Sequence, residues 1–289
     1  MTAAVDLGLP AVTSGLPPFA EESTAIWSRC WVLAGVADMI PRPGDVLPAT
    51  IGDHGVHVLR HEDDSLGGGY NAFQQGSCWN IPAQCGNGSK VACAYVSCGH
   101  SRDSDVLRPG RADDDRFIRQ VVGARPSRRA PVSLSRHGPL LFVAMPGAGP
   151  ETVSEQMPRC AEVFTGSWAE YRFAGHMRHE VPCNWRHVGA RIAAVLDDDP
   201  GVSVRIGAPN AVFVDSPSRR AVLAAKPVSV SRVEVTVALY GRGADPVSEH
   251  WESDWRTLLH AAGQIPDPAR CEVTDWADAR WRQGRSSLR

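Results

Sequence analysis

The chain has 289 residues and a formal net charge of -2, with 43% hydrophobic and 21% charged residues. That is long enough for two domains of ordinary size, and the balance is that of a soluble globular protein. A near-neutral charge and a pI of about 6.5 supply no polyelectrolyte field, so nucleic acid and anionic membranes are excluded as partners.

Met1 to Pro18 is small and Pro-bearing, an irregular arm. The spacing of Ile26, Trp27, Cys30 and Trp31 predicts an amphipathic helix over Glu21 to Leu33. Pro43-Gly44-Asp45 reads as a turn, Val46 to Ile51 as a strand, and Val56 to Arg60 as a second strand. Asp63 to Gly69, with three glycines, is expected to be a loop, and His54, His57 and His61 to belong to a surface hairpin. Pro139 to Met145 is an apolar strand, and Pro146-Gly147-Ala148-Gly149-Pro150 is the best boundary, dividing the chain into residues 20–147 and 150–289. No apolar run approaches roughly 18 residues and no basic-then-apolar leader opens the chain, so the expected compartment is the cytoplasm. There, cysteines serve as thiols or metal ligands in preference to disulfides.

The second segment predicts a helix near Glu151 to Cys160, a strand from Tyr171 to Val181, and a helix from Asn184 to Leu196 that stops at Asp197-Asp198-Asp199-Pro200-Gly201. Strands follow at Val202 to Ile206, Ala211 to Asp215, Ala221 to Lys226 and Arg232 to Tyr240, the last with Val233, Val235, Val237 and Leu239 on one face. Helices over Pro246 to Ala262 and Val273 to Gly284 close the chain. Strands followed by long helices give an α+β class.

The chemistry-bearing stretch runs from Asn71 to Arg108. It holds Cys78, Cys85, Cys93 and Cys98, half of the eight cysteines within 21 residues, a density that points to metal-binding loops. Zinc accepts four thiolates, or three with the imidazole of His100, but Cys-x6-Cys and Cys-x4-Cys are looser than paired zinc knuckles. The other histidines do not converge. His176 and His179 fall on opposite faces of a strand, and His250 and His260 lie ten apart on a helix. Trp27, Trp31, Trp251, Trp255, Trp276 and Trp281 sit at helical spacings and read as core packing or a subunit interface. No nucleophile elbow, phosphate loop or dinucleotide fingerprint is present.

Cys78-Trp79-Asn80 and Cys93-Ala94-Tyr95-Val96, with Leu16-Pro17-Pro18-Phe19, Asn71-Ala72-Phe73, Asn184-Trp185-Arg186, Pro209-Asn210, Asp275 and Gln283-Gly284 in that order, resemble the alpha subunits of Rieske-type ring-hydroxylating oxygenases. The resemblance implies an N-terminal all-β Rieske-like module, then a helix-grip domain in which an antiparallel sheet holds a long C-terminal helix. It also implies a 2Fe-2S cluster on Cys-x-His and Cys-x-x-His loops and a mononuclear iron in a 2-His-1-carboxylate triad. The departures carry the functional reading. Asn80 and Val96 stand at the two cluster histidines, and 12 residues separate Asn80 from Cys93, fewer than the resemblance would imply. Cys78 and Cys93 remain as cluster positions. A second register, Cys98-Gly99-His100, restores one histidine with one spacer residue in place of two. After Trp185 the pair of iron histidines is missing: Asp197 falls near the first, the bridging carboxylate falls on Ala190 or Ala194, and Asp275 alone keeps the triad's carboxylate. The family works as rings in which one subunit's cluster feeds its neighbour's iron.

The expected function is therefore that of a non-catalytic auxiliary subunit, a pseudoenzyme supporting an active Rieske oxygenase paralogue in a hetero-oligomer. Two alternatives stay open: an oxygenase with an atypical cluster on Cys78, Cys93, Cys98 and His100, and a binding protein that holds a small molecule in the helix-grip cavity. The expected cofactor complement is none, with zinc or a 2Fe-2S cluster on the cysteine loops as the other outcomes and no mononuclear iron.

Overall fold

A computed structural model describes residues 21–22, 25–52, 54–70, 72–73, 76–77, 132–145, 148, 152–229, 231–243, 250–268 and 271–286. Helical turns from Glu21 end at Arg29, with Ile26 and Trp27 fully buried. The helix does not continue to Leu33 as its spacing predicts, because Val32–Val36 forms strand β1 against β8, Leu140–Ala144. β7, Ser133–His137, completes that antiparallel sheet in the order β1-β8-β7. β8 is buried at every position, as an apolar strand between two layers should be.

The outer edge of β1 has no strand partner among the described residues, yet its backbone is paired. The Gln156 side-chain amide accepts from Trp31 N at 2.8 Å and donates to Trp31 O at 2.8 Å. Asn210 does the same at Leu33, at 2.9 Å in both directions. Two amide side chains from the second half of the chain thus act as a strand edge. This satisfies buried groups that would otherwise be costly.

The second sheet has the order β2-β3-β4: Val46–Ile51, His54–Arg60 and Leu66–Tyr70. β4 falls where the sequence reads as a loop. Its glycines are packing devices: a Cβ at Gly69 would lie 2.9 Å from the His57 ring, and one at Gly68 would lie 2.7 Å from the Val132 carbonyl oxygen. His57 is accordingly buried, not on a surface hairpin. Short strands β5, Ala72–Phe73, and β6, Gly76–Ser77, form a further pair.

The second half opens on α1, Val153–Gln156, with a complete capping box between Thr152 and Glu155. A 3-10 turn at Pro158–Cys160 and α2, Ala161–Thr165, follow, so the single helix expected there is broken into pieces. An antiparallel five-stranded sheet has the order β10-β11-β12-β13-β9, from Ser203–Gly207, Ala211–Asp215, Arg219–Ser229, Arg232–Arg242 and Tyr171–Val181. On β13 Val233, Val235, Val237 and Leu239 are all buried. α3, Val188–Leu196, and α4, Trp251–Gln264, cover the face to which those residues point, while α5, Glu272–Ser286, ends the described chain. On the other face, Tyr240 donates to Asp38 Oδ2 at 2.8 Å, joining the sheet to the N-terminal strands. The buried residues of both halves form one hydrophobic cluster from Ala25 to Ala277. The fold is α+β, and no described helix is long and apolar enough to cross a membrane.

Candidate functional site

The Asn184-Trp185-Arg186 turn lies between the N-terminal helical turns and α5, and Trp185 and Arg186 are each 1% exposed. Arg186 donates to Glu22 Oε1 from Nε and Nη2, at 3.1 and 2.9 Å, and from Nη1 to Asp278 Oδ1 at 2.7 Å. Trp185 Nε1 donates to the second Glu22 oxygen at 2.9 Å. Asn184 Oδ1 accepts from the Arg186 backbone at 3.0 Å, and the Cys271 thiol donates to the Arg186 carbonyl. Burial pushes the Glu22 carboxyl above its ordinary value, outweighing the bond from Trp185 and the Arg186 charge. Both Glu22 oxygens are occupied by protein donors, so this knot ties three parts of the chain together and offers no group to a ligand.

A second knot follows one turn on. Arg191 donates to Asp267 Oδ1 at 3.1 and 2.8 Å, and also to the carbonyls of Pro182, Ala262 and Gly263. His187 Nδ1 lies 2.6 Å from the same Asp267 oxygen. Arg191 thereby anchors α3 to the end of α4, where unpaired carbonyls favour a cation.

Of the positions at which the resemblance implies iron chemistry, Asp197 stands near the first histidine and Asp275 at the triad's carboxylate, while Ala190 and Ala194 stand where the bridging carboxylate falls. Ala190 is half-buried, Ala194 and Asp197 are exposed on and after the last turns of α3, and Asp275 is exposed in the first turn of α5. Methyl groups offer no lone pair, and among the described residues no group of three His, Cys, Asp or Glu side chains is placed to hold a metal ion. Asp197 and Asp275 supply carboxylates but no imidazole, so the described residues at these positions do not make up a 2-His-1-carboxylate set. His176 and His179 do take opposite faces. His176 stacks on Phe173 beside the N-terminal strands, while His179 faces Arg256 and His260 of α4; burial and those charges hold its pKa down. Cys78, Cys85, Cys93, Cys98 and His100 lie outside the described residues.

A cleft of about 320 Å³ lies between the end of α3, the helix-facing side of the sheet and α4, and the sequence points to no ligand-binding role for the residues that line it. Val214, Ala221 and Leu239 form its floor as one cross-strand row, since Val214 pairs with Ala221 and Ala221 with Leu239. Trp255 and Leu258 form one wall, and Asp199, Arg219 and Asp254 line the mouth. The signal for the α4 wall was available in the spacing of Trp251, Asp254, Trp255 and Leu258, which turns one face of α4 toward the sheet.

No family model matches the chain. A stretch of 127 residues is 24% identical to the glycine betaine monooxygenase oxygenase subunit of Chromohalobacter salexigens, covering 44% of this chain and 27% of that protein. Across the fold, the chain is similar to the apo form of the quaternary ammonium Rieske monooxygenase CntA, with a TM-score of 0.52 at 14% identity over 93% of this chain and 82% of that one. The complex of that enzyme with the inhibitor MMV12 gives a TM-score of 0.55 at 14% identity, over 93% and 91%. The fold is that of the Rieske oxygenases.

Proposed function

We propose that this chain is a catalytically silent protein on the Rieske oxygenase fold that supports an active Rieske oxygenase paralogue in a hetero-oligomer. The observation that carries the reading is that α3, Val188–Leu196, carries no histidine where the resemblance implies a pair of iron ligands. The Asn-Trp-Arg turn is kept as a buried ion-pair knot, while alanines and exposed aspartates occupy the positions that follow it. Asn80 and Val96 at the cluster histidines point the same way. Thiolates and imidazoles would supply electron relay through a 2Fe-2S cluster, but valine has no donor atom to replace an imidazole. A shape retained without its redox ligands is useful as a surface for a protomer that has them.

Co-expression with an oxygenase carrying intact Cys-x-His and 2-His-1-carboxylate motifs, followed by size-exclusion chromatography and an activity assay with and without this chain, tests the proposal. The expected result is co-elution and a partner that loses solubility or activity alone. Monomeric elution with full activity of every such oxygenase alone would refute it. Protein made with full iron-sulfur assembly capacity should be colourless and give no Rieske-type EPR signal after reduction. A stoichiometric signal abolished by both Cys98→Ala and His100→Ala would favour the atypical oxygenase. Bound zinc in stoichiometric amount would assign the four cysteines a structural role.

A second reading is favoured by the cleft beside α4, that it binds a small molecule without chemistry. Its volume lies at the lower end of ligand pockets.

A further inference from the structure

The mouth of the cleft carries two charges of opposite sign that do not meet. Arg219 starts β12 two residues before Ala221, so both project to the helix-facing side of the sheet. Asp254 lies one turn before Leu258 on α4, beside Trp255. Among the described residues, neither the Arg219 guanidinium nor the Asp254 carboxylate has a hydrogen bond or an ion pair, although Arg219 is half-buried; their bonds are made by the backbone. Asp199, the third charged residue at the mouth, is already engaged, accepting from Gly201 N at 3.1 Å.

From this arrangement we infer that the cleft binds a zwitterion with an apolar body, of the class of α-amino acids bearing a large hydrophobic side chain. The guanidinium fork is suited to a carboxylate, which it can hold through two parallel bonds. The Asp254 carboxylate accepts from an ammonium group. The side chain of the ligand then lies on Val214, Ala221 and Leu239 against Trp255. A ligand with one charge would leave the other protein charge without a counterpart at the edge of an apolar cleft. A neutral ligand would gain from neither charge and would cover part of the half-buried Arg219, which opposes its binding. The inference rests on the reading of the cleft as a ligand site and adds to it the class of molecule.

Titration calorimetry on the full chain with L-phenylalanine, 3-phenylpropionate, 2-phenylethylamine and toluene separates the two. L-phenylalanine should bind, and each analogue should bind at least about tenfold more weakly, the factor expected for about 1.4 kcal/mol. R219Q and D254N should each weaken L-phenylalanine by a similar factor, and D254N should leave 3-phenylpropionate no weaker than in wild type. Neither substitution removes a side-chain hydrogen bond or ion pair among the described residues, so both variants should fold, with unchanged circular dichroism. Binding of toluene or a single-charge analogue as tight as that of L-phenylalanine would overturn the zwitterion while leaving the cleft a ligand site, and wild-type affinity for L-phenylalanine in both R219Q and D254N would overturn the assignment of its charges to these residues. Failure of all four to bind the wild type would overturn both.

Discussion

Replacing Arg186 by methionine tests whether the Asn-Trp-Arg turn is a structural knot. Methionine keeps much of the stem length and removes only the guanidinium. Its loss deletes two bonds to Glu22 and one to Asp278. The Asp278 side chain is 48% exposed, so that ion pair adds little. The Glu22 side chain is 3% exposed and would keep Trp185 as its side-chain donor. Removing one partner of a buried pair costs about 3 to 5 kcal/mol. Proton uptake by Glu22 limits the cost, because burial already holds its pKa above 4.5 in the wild type and the lost arginine can only raise it further. A carboxyl whose folded pKa exceeds its unfolded value contributes stability below the unfolded pKa and loses it as pH rises through the folded pKa. The deficit of R186M should therefore be about 3 kcal/mol near pH 7 and smaller near pH 5. Urea unfolding of wild type, R186M, E22Q and the double variant at both pH values measures this, and E22Q should restore a large part of the stability lost in R186M. A deficit below about 1 kcal/mol with no pH dependence would mean that the knot does not hold the fold.

Asn210→Leu leaves the buried Leu33 N–H and C=O without their partner and should cost about 2 to 4 kcal/mol, read as a lowered urea midpoint. His137 and His179 have pKa values lowered by burial, with Arg256 and His260 adding to the effect at His179. Their neutral forms contribute stability above the unfolded value of 6.5 that is lost as pH falls from there through the folded pKa, so the urea midpoint should drop on acidification and drop less in H179Q. Burial pushes the Cys160 and Cys183 thiols up to about 12; mass spectrometry after alkylation of the native protein should find both unmodified. Ferrous iron should bind wild type no better than Asp275→Ala, and a clear loss in that variant would show a site rebuilt from other residues.

Strongly patterned strands were legible in the sequence. Tyr171–Val181 and Ala211–Asp215 have the bounds their alternation and composition predict. Trp31 to Leu33 was misread because helical spacing and a buried strand use the same apolar residues, and the arbiters are side chains at Gln156 and Asn210 far along the chain. β4 was missed for a related reason: its glycines signal a loop unless one knows that the ring of His57 lies over them. Of the site, the lack of a histidine between Val188 and Leu196 was readable directly from the sequence. The role of Arg186 was not, since its partners Glu22 and Asp278 are set by tertiary packing. The cleft was legible only on one side: the spacing of Trp255 and Leu258 turns a face of α4 toward the sheet, but periodicity cannot bring Arg219 and Asp254 together.

The amide clamps on β1 join residues 125 and 177 positions apart in sequence. Closing loops of that length is entropically costly and contributes to slow folding, so strand β1 should dock late, after the five-stranded sheet has formed. A chain still emerging from the ribosome would hold its N-terminal strand with one backbone edge bare until Asn210 arrives. Such an edge is open to pairing with another chain. Chaperone demand during synthesis, and aggregation of any fragment that ends before the sheet, follow from two side chains that in the finished protein are no more than a strand's missing neighbour.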